Sequence, residues 1–170
     1  MKVSDTIQML ESKESEKLMT ALYGEDAVRE NIERYQSLVR NFQKKFPEDD
    51  VMLFSAPGRT EISGNHTDHN GGKIVAASIS LDTIGAAAAN GTGSIRIRSE
   101  GYDLIDVEIA AASSVEKKSG TRALIAGMIE AIGKFGFVVD GFDAYVTTEV
   151  IAAAGVSSSA SFEMLFCAMV

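Results

Sequence analysis

The 170-residue chain has one cysteine, no tryptophan, two prolines and two histidines. The lone Cys167 excludes an internal disulfide and suits a reducing compartment, which makes the cytoplasm the default location. No apolar run approaches the roughly 18 to 20 residues that a membrane helix needs. Met1-Lys2-Val3-Ser4-Asp5 leads into charged residues rather than an apolar signal core, which argues against export. Basic charge is scarce: 16 Lys and Arg stand against 24 Asp and Glu, a net charge of −8. No basic stripe exists to neutralise a nucleic-acid backbone, so any bound anion must be held locally. There is also no internal repeat and no low-complexity linker. With 45% hydrophobic residues, the composition is that of a globular domain able to bury a core.

Against this plain background, residues 56–72 stand out. Four glycines and Pro57 share those positions with Arg59, Asn65, His66, Asp68 and His69, directly after the apolar run Val51 to Phe54. A turn alone needs one Gly or Pro and some small polar residues, so the surplus of hydrogen-bonding side chains marks a binding loop. Asp plus His pairs well with neighbouring hydroxyls, because each hydroxyl both donates and accepts. A metal site at His66-x-Asp68-His69 is the competing reading, and it would have to recruit distant carboxylates. A surface ion pair is the competing reading for Arg59.

A second cluster lies roughly a hundred residues on. Gly155-Val156-Ser157-Ser158-Ser159-Ala160 precedes the apolar stretch Phe162 to Val170, which reads as a helix. A helix N-terminus offers free N–H groups and the positive end of a dipole, Gly155 allows close approach, and the hydroxyls add donors or a Mg²⁺ ligand at Ser159. No Gly-Lys-Ser/Thr follows, so this is not a Walker loop. A serine cap on an ordinary core helix is the alternative.

Elsewhere, Ser4 to Leu22 is predicted helical with Ile7, Leu10, Leu18 and Leu22 facing inward. Val28, Ile32, Tyr35, Leu38, Val39, Phe42 and Phe46 place one stripe on a helix over Glu25 to Phe46, ended by Pro47. Lys73 to Ser80 and Asp82 to Ala89 read as two strands. Ile95 and Ile97 alternate with Arg96 and Arg98 in a half-buried strand whose basic side faces water, and Asp103 to Ile109 pairs with it across Gly101. Thr121 to Phe135 is a helix, and Val138 to Val150 contains one more strand with Tyr145, Val146 and Val150 in the core. The alanine clusters 86–89 and 152–154 mark close backbone approach. This order describes an α+β domain rather than a regular βαβ array.

Gly58-Arg59, Gly64-Asn65-His66-Thr67-Asp68-His69-Asn70-Gly71-Gly72 and Ala152-Ala153-Ala154-Gly155-Val156-Ser157-Ser158-Ser159-Ala160-Ser161 together resemble the sugar signature and phosphate loop of galactokinases, in the GHMP kinase superfamily. The resemblance implies a GHMP-kinase N-terminal domain over 51–170, a mixed sheet with helices on one side; the helical extension over 1–50 departs from the family, and it packs against the domain or binds a partner. It implies an ATP-dependent sugar 1-kinase that uses Mg²⁺ and phosphorylates galactose. Arg59 would be the catalytic residue, lying by the attacked phosphate. Asn65, His66 and Asp68 would bind the sugar, and Gly155, Val156, Ser157, Ser158, Ser159 and Ala160 would hold ATP.

The family's glutamate and tyrosine are replaced here by Asn65 and His69, which opens the C6 position to a uronic acid, a deoxy sugar or a pentose. Ile151 and Ala153 stand where the family has proline and glycine. The aspartate that takes the hydroxyl proton in galactokinases falls in a later segment, and the helix at Phe162 to Val170 has no stop signal. The chain is therefore expected to be an N-terminal fragment whose cleft is completed by the missing C-terminal half, and a poor catalyst alone. The other readings are a non-catalytic sugar and nucleotide sensor, or a superfamily kinase for mevalonate or homoserine.

Overall fold

The computed structural model describes residues 1–64, 67, 70–118, 120–151 and 158–170. Its first three helices are α1 (Val3–Leu10), α2 (Lys13–Tyr23) and α3 (Val28–Lys45), with a 3-10 turn at Glu25–Ala27. The sequence predicts one helix where α1 and α2 stand. Ser12 divides it, because its hydroxyl caps the Ser15 N–H at 3.2 Å while Ser15 Oγ donates to Met9 O at 2.7 Å. Restarting at Lys13 turns the inward face, so Leu10 and Met19 are buried while Leu18 and Leu22 are about half exposed. The α3 stripe is as predicted: Ile32, Tyr35, Leu38, Val39 and Phe42 are all buried. Lys44 and Lys45 favour its C-terminal dipole, and the helix stops just before Phe46-Pro47.

The strands are β1 (Met52–Ser63), β2 (Val75–Ala89), β3 (Ser94–Ser99), β4 (Leu104–Glu108) and β5 (Phe142–Thr148), in the sheet order β1-β2-β5-β3-β4. The β5–β3 pair is parallel and the others are antiparallel, so the sheet is mixed. Helix α4 (Thr121–Lys134) precedes β5, and α5 (Ser158–Met169) follows it. Among the described residues, no helix is long and apolar enough to cross a membrane.

Alternation along β2 builds two cores on opposite faces of the sheet. Ile84, Ala86 and Ala88 join Val39, Phe42 and the other residues of α1 to α3. Ala87 joins Ala144, Val146, Ile125, Leu165 and Phe166 on the face of α4 and α5. Helices within 51–170 thus lie on one side, as expected, and the N-terminal helices cover the other. Complete burial of a side chain such as Phe42 contributes about 1.5–3 kcal/mol relative to exposure. The small residues of β2 serve close approach from both faces, and a Cβ on Gly85 would meet the Met169 and Leu165 side chains of α5.

Two strand expectations need correction. Residues 73–89 do not form two strands: β2 runs unbroken from Val75 to Ala89 with Asp82 buried in its middle. The basic side of β3 does not simply face water either. Arg96 grips the wholly buried Asp143 through Nε at 2.7 Å and Nη2 at 2.5 Å, and its guanidinium lies 5.9 Å from the centre of the Phe46 ring.

Glu48 is mostly buried beside this pair, with Oε1 3.8 Å from Arg96 and Oε2 lacking a hydrogen-bond partner among the described residues. Burial, and then the neighbouring Asp143 carboxylate, raise the Glu48 carboxyl above the ordinary glutamate range. A raised folded pKa favours the protonated fold: this contribution is fully present below the ordinary glutamate pKa and is lost as pH rises through the folded value. Glu48→Gln should therefore raise Tm at about pH 7 and match the parent near about pH 4. Thermal melts across that range check it, and a pH-independent difference would contradict it.

Candidate functional site

The β1–β2 pair continues past the rest of the sheet as a two-stranded ribbon. Strand β5 pairs with β2 only over Thr83–Ala89, whereas β1 follows β2 out to Ser63↔Val75. The register jumps from Pro57↔Asp82 to Arg59↔Ser78, so residues 79–81 of β2 stand opposite Gly58 alone. Such a bulge bends the ribbon and re-aims the side chains beyond it. Arg59, half-buried, is the first paired residue after it.

At the ribbon's end Thr67 organises the turn. Its hydroxyl donates to Gly64 O at 2.8 Å, and its carbonyl accepts from the N–H groups of Asn70 at 3.0 Å and Gly72 at 2.8 Å. The predicted sugar-binding residues Asn65, His66 and Asp68, and His69 beside them, lie outside the described residues. So do Gly155, Val156 and Ser157 of the predicted phosphate loop, and Ala152 to Ala154 before it. Among the described residues, no group of three or more His, Cys, Asp or Glu could hold a metal ion.

Ser158, Ser159 and Ala160 form the first turn of α5, and both serines line a cleft of about 430 Å³ with Thr83, Thr147, Thr148 and Phe162. The helix carries no acidic side chain in its first turn, which favours an anion at its positive end, although Glu100 lines the same cleft. A larger cleft of about 670 Å³ shares Tyr102, Thr148 and Val150 with it and reaches Tyr23, Asn31 and Glu149. The end of β5 therefore stands between two cavities.

The start of α5 is anchored from below by a chain of hydroxyls that sequence reasoning missed. Buried Ser161 Oγ lies 2.8 Å from Ala56 O and 2.7 Å from Thr83 Oγ1. Thr83 Oγ1 is 2.8 Å from Thr148 Oγ1, which accepts from the Val150 N–H at 3.1 Å. A carbonyl only accepts and a hydroxyl has one proton. Ser161 Oγ is the donor toward both Ala56 O and Thr83 Oγ1 and shares its one proton between them, while either hydroxyl of the Thr83–Thr148 pair can donate. This chain ties α5 to β1, β2 and β5 at once, and Ala56 is only three residues before Arg59. Ser161 closes the sequence motif itself, and its place after three other serines was the available signal.

The galactokinase galactose-binding signature matches residues 40–89, from within α3 to the end of β2. The chain is 34% identical over 142 residues to a galactokinase of Lactococcus lactis subsp. lactis, covering 81% of this chain and 36% of the relative. A galactokinase of Limosilactobacillus fermentum is 33% identical over 134 residues. The structure of Lactococcus lactis galactokinase complexed with galactose superposes with a TM-score of 0.71 at 30% identity, covering 78% of this chain and 35% of that one. The chain is similar to galactokinases in both sequence and fold. It spans about a third of the length of the curated galactokinases it matches. Methanococcus jannaschii mevalonate kinase, with a TM-score of 0.56 at 12% identity, shares the fold alone. The matched region takes in both strands of the β1–β2 ribbon, and the ribbon's root is bonded to the helix at whose start the serines line a cleft.

Proposed function

We propose that this domain is the sugar- and nucleotide-binding part of an ATP-dependent sugar 1-kinase, with galactose as the substrate. The Ser161–Ala56 hydrogen bond carries the reading, because it joins a strand within the matched galactose-binding signature to the helix beginning at the serine cluster. Phosphoryl transfer depends on positioning and charge stabilisation more than on covalent chemistry by the protein. A single hydrogen bond spanning the two half-sites serves that positioning.

In this assignment Asn65, His66 and Asp68 hold the sugar hydroxyls. Residues Gly155, Val156, Ser157, Ser158, Ser159 and Ala160 hold the ATP phosphates with backbone N–H groups and hydroxyls. The residues present fit an anion: two hydroxyls line the cleft at the N-terminus of a twelve-residue helix. Ser159, exposed at that turn, would hold Mg²⁺ together with the phosphates, and the ion supplies neutralisation of phosphate charge when bound. Arg59 stabilises charge beside the transferred phosphoryl group and favours ionisation of the sugar hydroxyl. The curated relatives are nearly three times as long as the matched region, and the carboxylate that takes the hydroxyl proton is assigned to that remainder.

The test is ADP release by the full-length protein with Mg-ATP and galactose, galacturonic acid, arabinose, glucose and mevalonate. Release with galactose is expected, and Arg59→Ala should reduce kcat by about 10²–10³. Turnover of galacturonic acid instead would assign Asn65 to a different substrate class. Sugar and nucleotide binding with no ADP release would replace the kinase by a sensor.

A further inference from the structure

Arg34 projects from α3 onto the sheet with its side chain only 10% exposed, yet it does not merely neutralise a charge. Its Nη1 donates to Asp82 Oδ1 at 2.6 Å, and its Nη2 donates to the Asp82 carbonyl at 3.0 Å. Nη1 also lies 3.4 Å from Glu149 Oε2. The same Asp82 carbonyl accepts the Glu149 N–H at 3.0 Å. One guanidinium thus holds the backbone of β2 and the side chain of the residue that follows β5.

The geometry is held on every side. Asp82 Oδ2 accepts Tyr23 Oη at 2.6 Å and Ser55 Oγ at 2.5 Å, and Tyr23 Oη is 3.0 Å from Tyr35 Oη. Burial, and then the bond to Asp82, push the Tyr23 hydroxyl well above the usual tyrosine range, so it stays protonated as a donor. From the opposite face, Thr83 holds Thr148. The exit of β5 is therefore gripped at two successive residues, Thr148 from the α5 side and Glu149 from the N-terminal helices.

We propose that Arg34 is a positioning residue: by holding Glu149 and the Asp82 carbonyl it sets where β5 ends, and through that the seat of the ATP phosphates at the start of α5. This role rests on the kinase reading above. It gives the N-terminal helices a function beyond covering an apolar face, and it ties them to nucleotide affinity rather than sugar affinity. The sugar loop follows Ser63 at the far end of the ribbon, whereas Arg34 bonds to Asp82 at the ribbon's root.

The experiment uses Arg34→Met, Arg34→Lys and Glu149→Gln in the full-length protein. KM for Mg-ATP is expected to rise about tenfold in Arg34→Met and a few-fold in Glu149→Gln, with KM for sugar unchanged within about twofold. Lysine keeps the charge without the fork and should recover only part of the loss. Glu149→Gln leaves the Arg34–Asp82 pair in place, so it answers even if Arg34→Met does not fold. Equal shifts in both substrates, or none in Glu149→Gln, would overturn the proposal. Hydrogen exchange at the Ser158 to Ser161 amides, without ligand, is the readout that does not depend on the kinase reading. Faster exchange in Glu149→Gln supports the positioning role even if the protein turns over no sugar, and unchanged exchange overturns it.

Discussion

Asp82→Ala is expected to cost about 3–5 kcal/mol of stability, because it takes the close carboxylate from a buried guanidinium and leaves it only the more exposed Glu149 at 3.4 Å. For a domain of this size that corresponds to a Tm lower by about 10 °C. The loss goes beyond one ion pair. Tyr23 and Ser55 also lose their common acceptor at Oδ2, although Tyr23 keeps the Tyr35 hydroxyl and the Asp82 carbonyl remains for Arg34 Nη2. Asp82→Asn retains one acceptor oxygen and should fall between the two proteins. The double variant Arg34→Met/Asp82→Leu removes both charges and should recover much of the loss, since apolar replacements of buried pairs are often neutral or stabilising. Thermal and urea melts decide it: a loss below about 1 kcal/mol in Asp82→Ala would show that the charge is hydrated or otherwise paired.

Gly64→Ala should open the base of the proposed sugar loop. Gly64 has φ +119°, where an L side chain is strained, and its Cβ would lie 2.6 Å from Ile74 Cγ2 and 2.7 Å from both Ile74 Cα and Lys73 O. Two of those three atoms belong to the backbone, so a rotamer change cannot relieve the clash. Strain of this kind costs of the order of 1–3 kcal/mol, and it would be relieved by moving the loop. The expected result is a sugar Kd at least about tenfold weaker, with nucleotide affinity kept. Gly72→Ala tests the same closure from the other side, where a Cβ would crowd the Thr67 side chain. Gly93→Ala serves as the control, having neither a left-handed φ nor any atom within 4 Å of the place its methyl group would take. Unchanged sugar affinity in both Gly64→Ala and Gly72→Ala would show that the loop is not closed through Thr67.

Much of the fold was legible because it obeys local rules. The α3 stripe, its stop at Pro47, the β3–β4 hairpin and α4 all follow periods and breakers visible within a dozen residues. The errors came where distant groups override those rules. Asp82 looks like a strand end because a lone carboxylate inside a β-sheet is costly, and the donors that make it tolerable sit 48 and 59 residues earlier in sequence. Arg96 looks solvated because alternation gives its face but not what covers that face, and Phe46 and Glu48, just after α3, cover it. Ser12 and Ser15 look like helix interior, although the pair caps and closes a helix break.

The candidate site divides in the same way. Residue chemistry alone marked Arg59, the sugar loop and the serine cluster, because a surplus of polar groups on glycine-rich turns has few structural uses. That information is local, and the sequence carries it. Only the tertiary structure decided that Ser161 bonds to the strand leading to Arg59, that Thr83 and Arg34 grip the exit of β5 from opposite faces, and that the N-terminal helices supply Arg34 and Tyr23. Those choices depend on which buried polar groups meet when two cores close on one sheet. A buried donor must find its acceptor wherever packing brings one, and periodicity along the chain holds no record of that meeting.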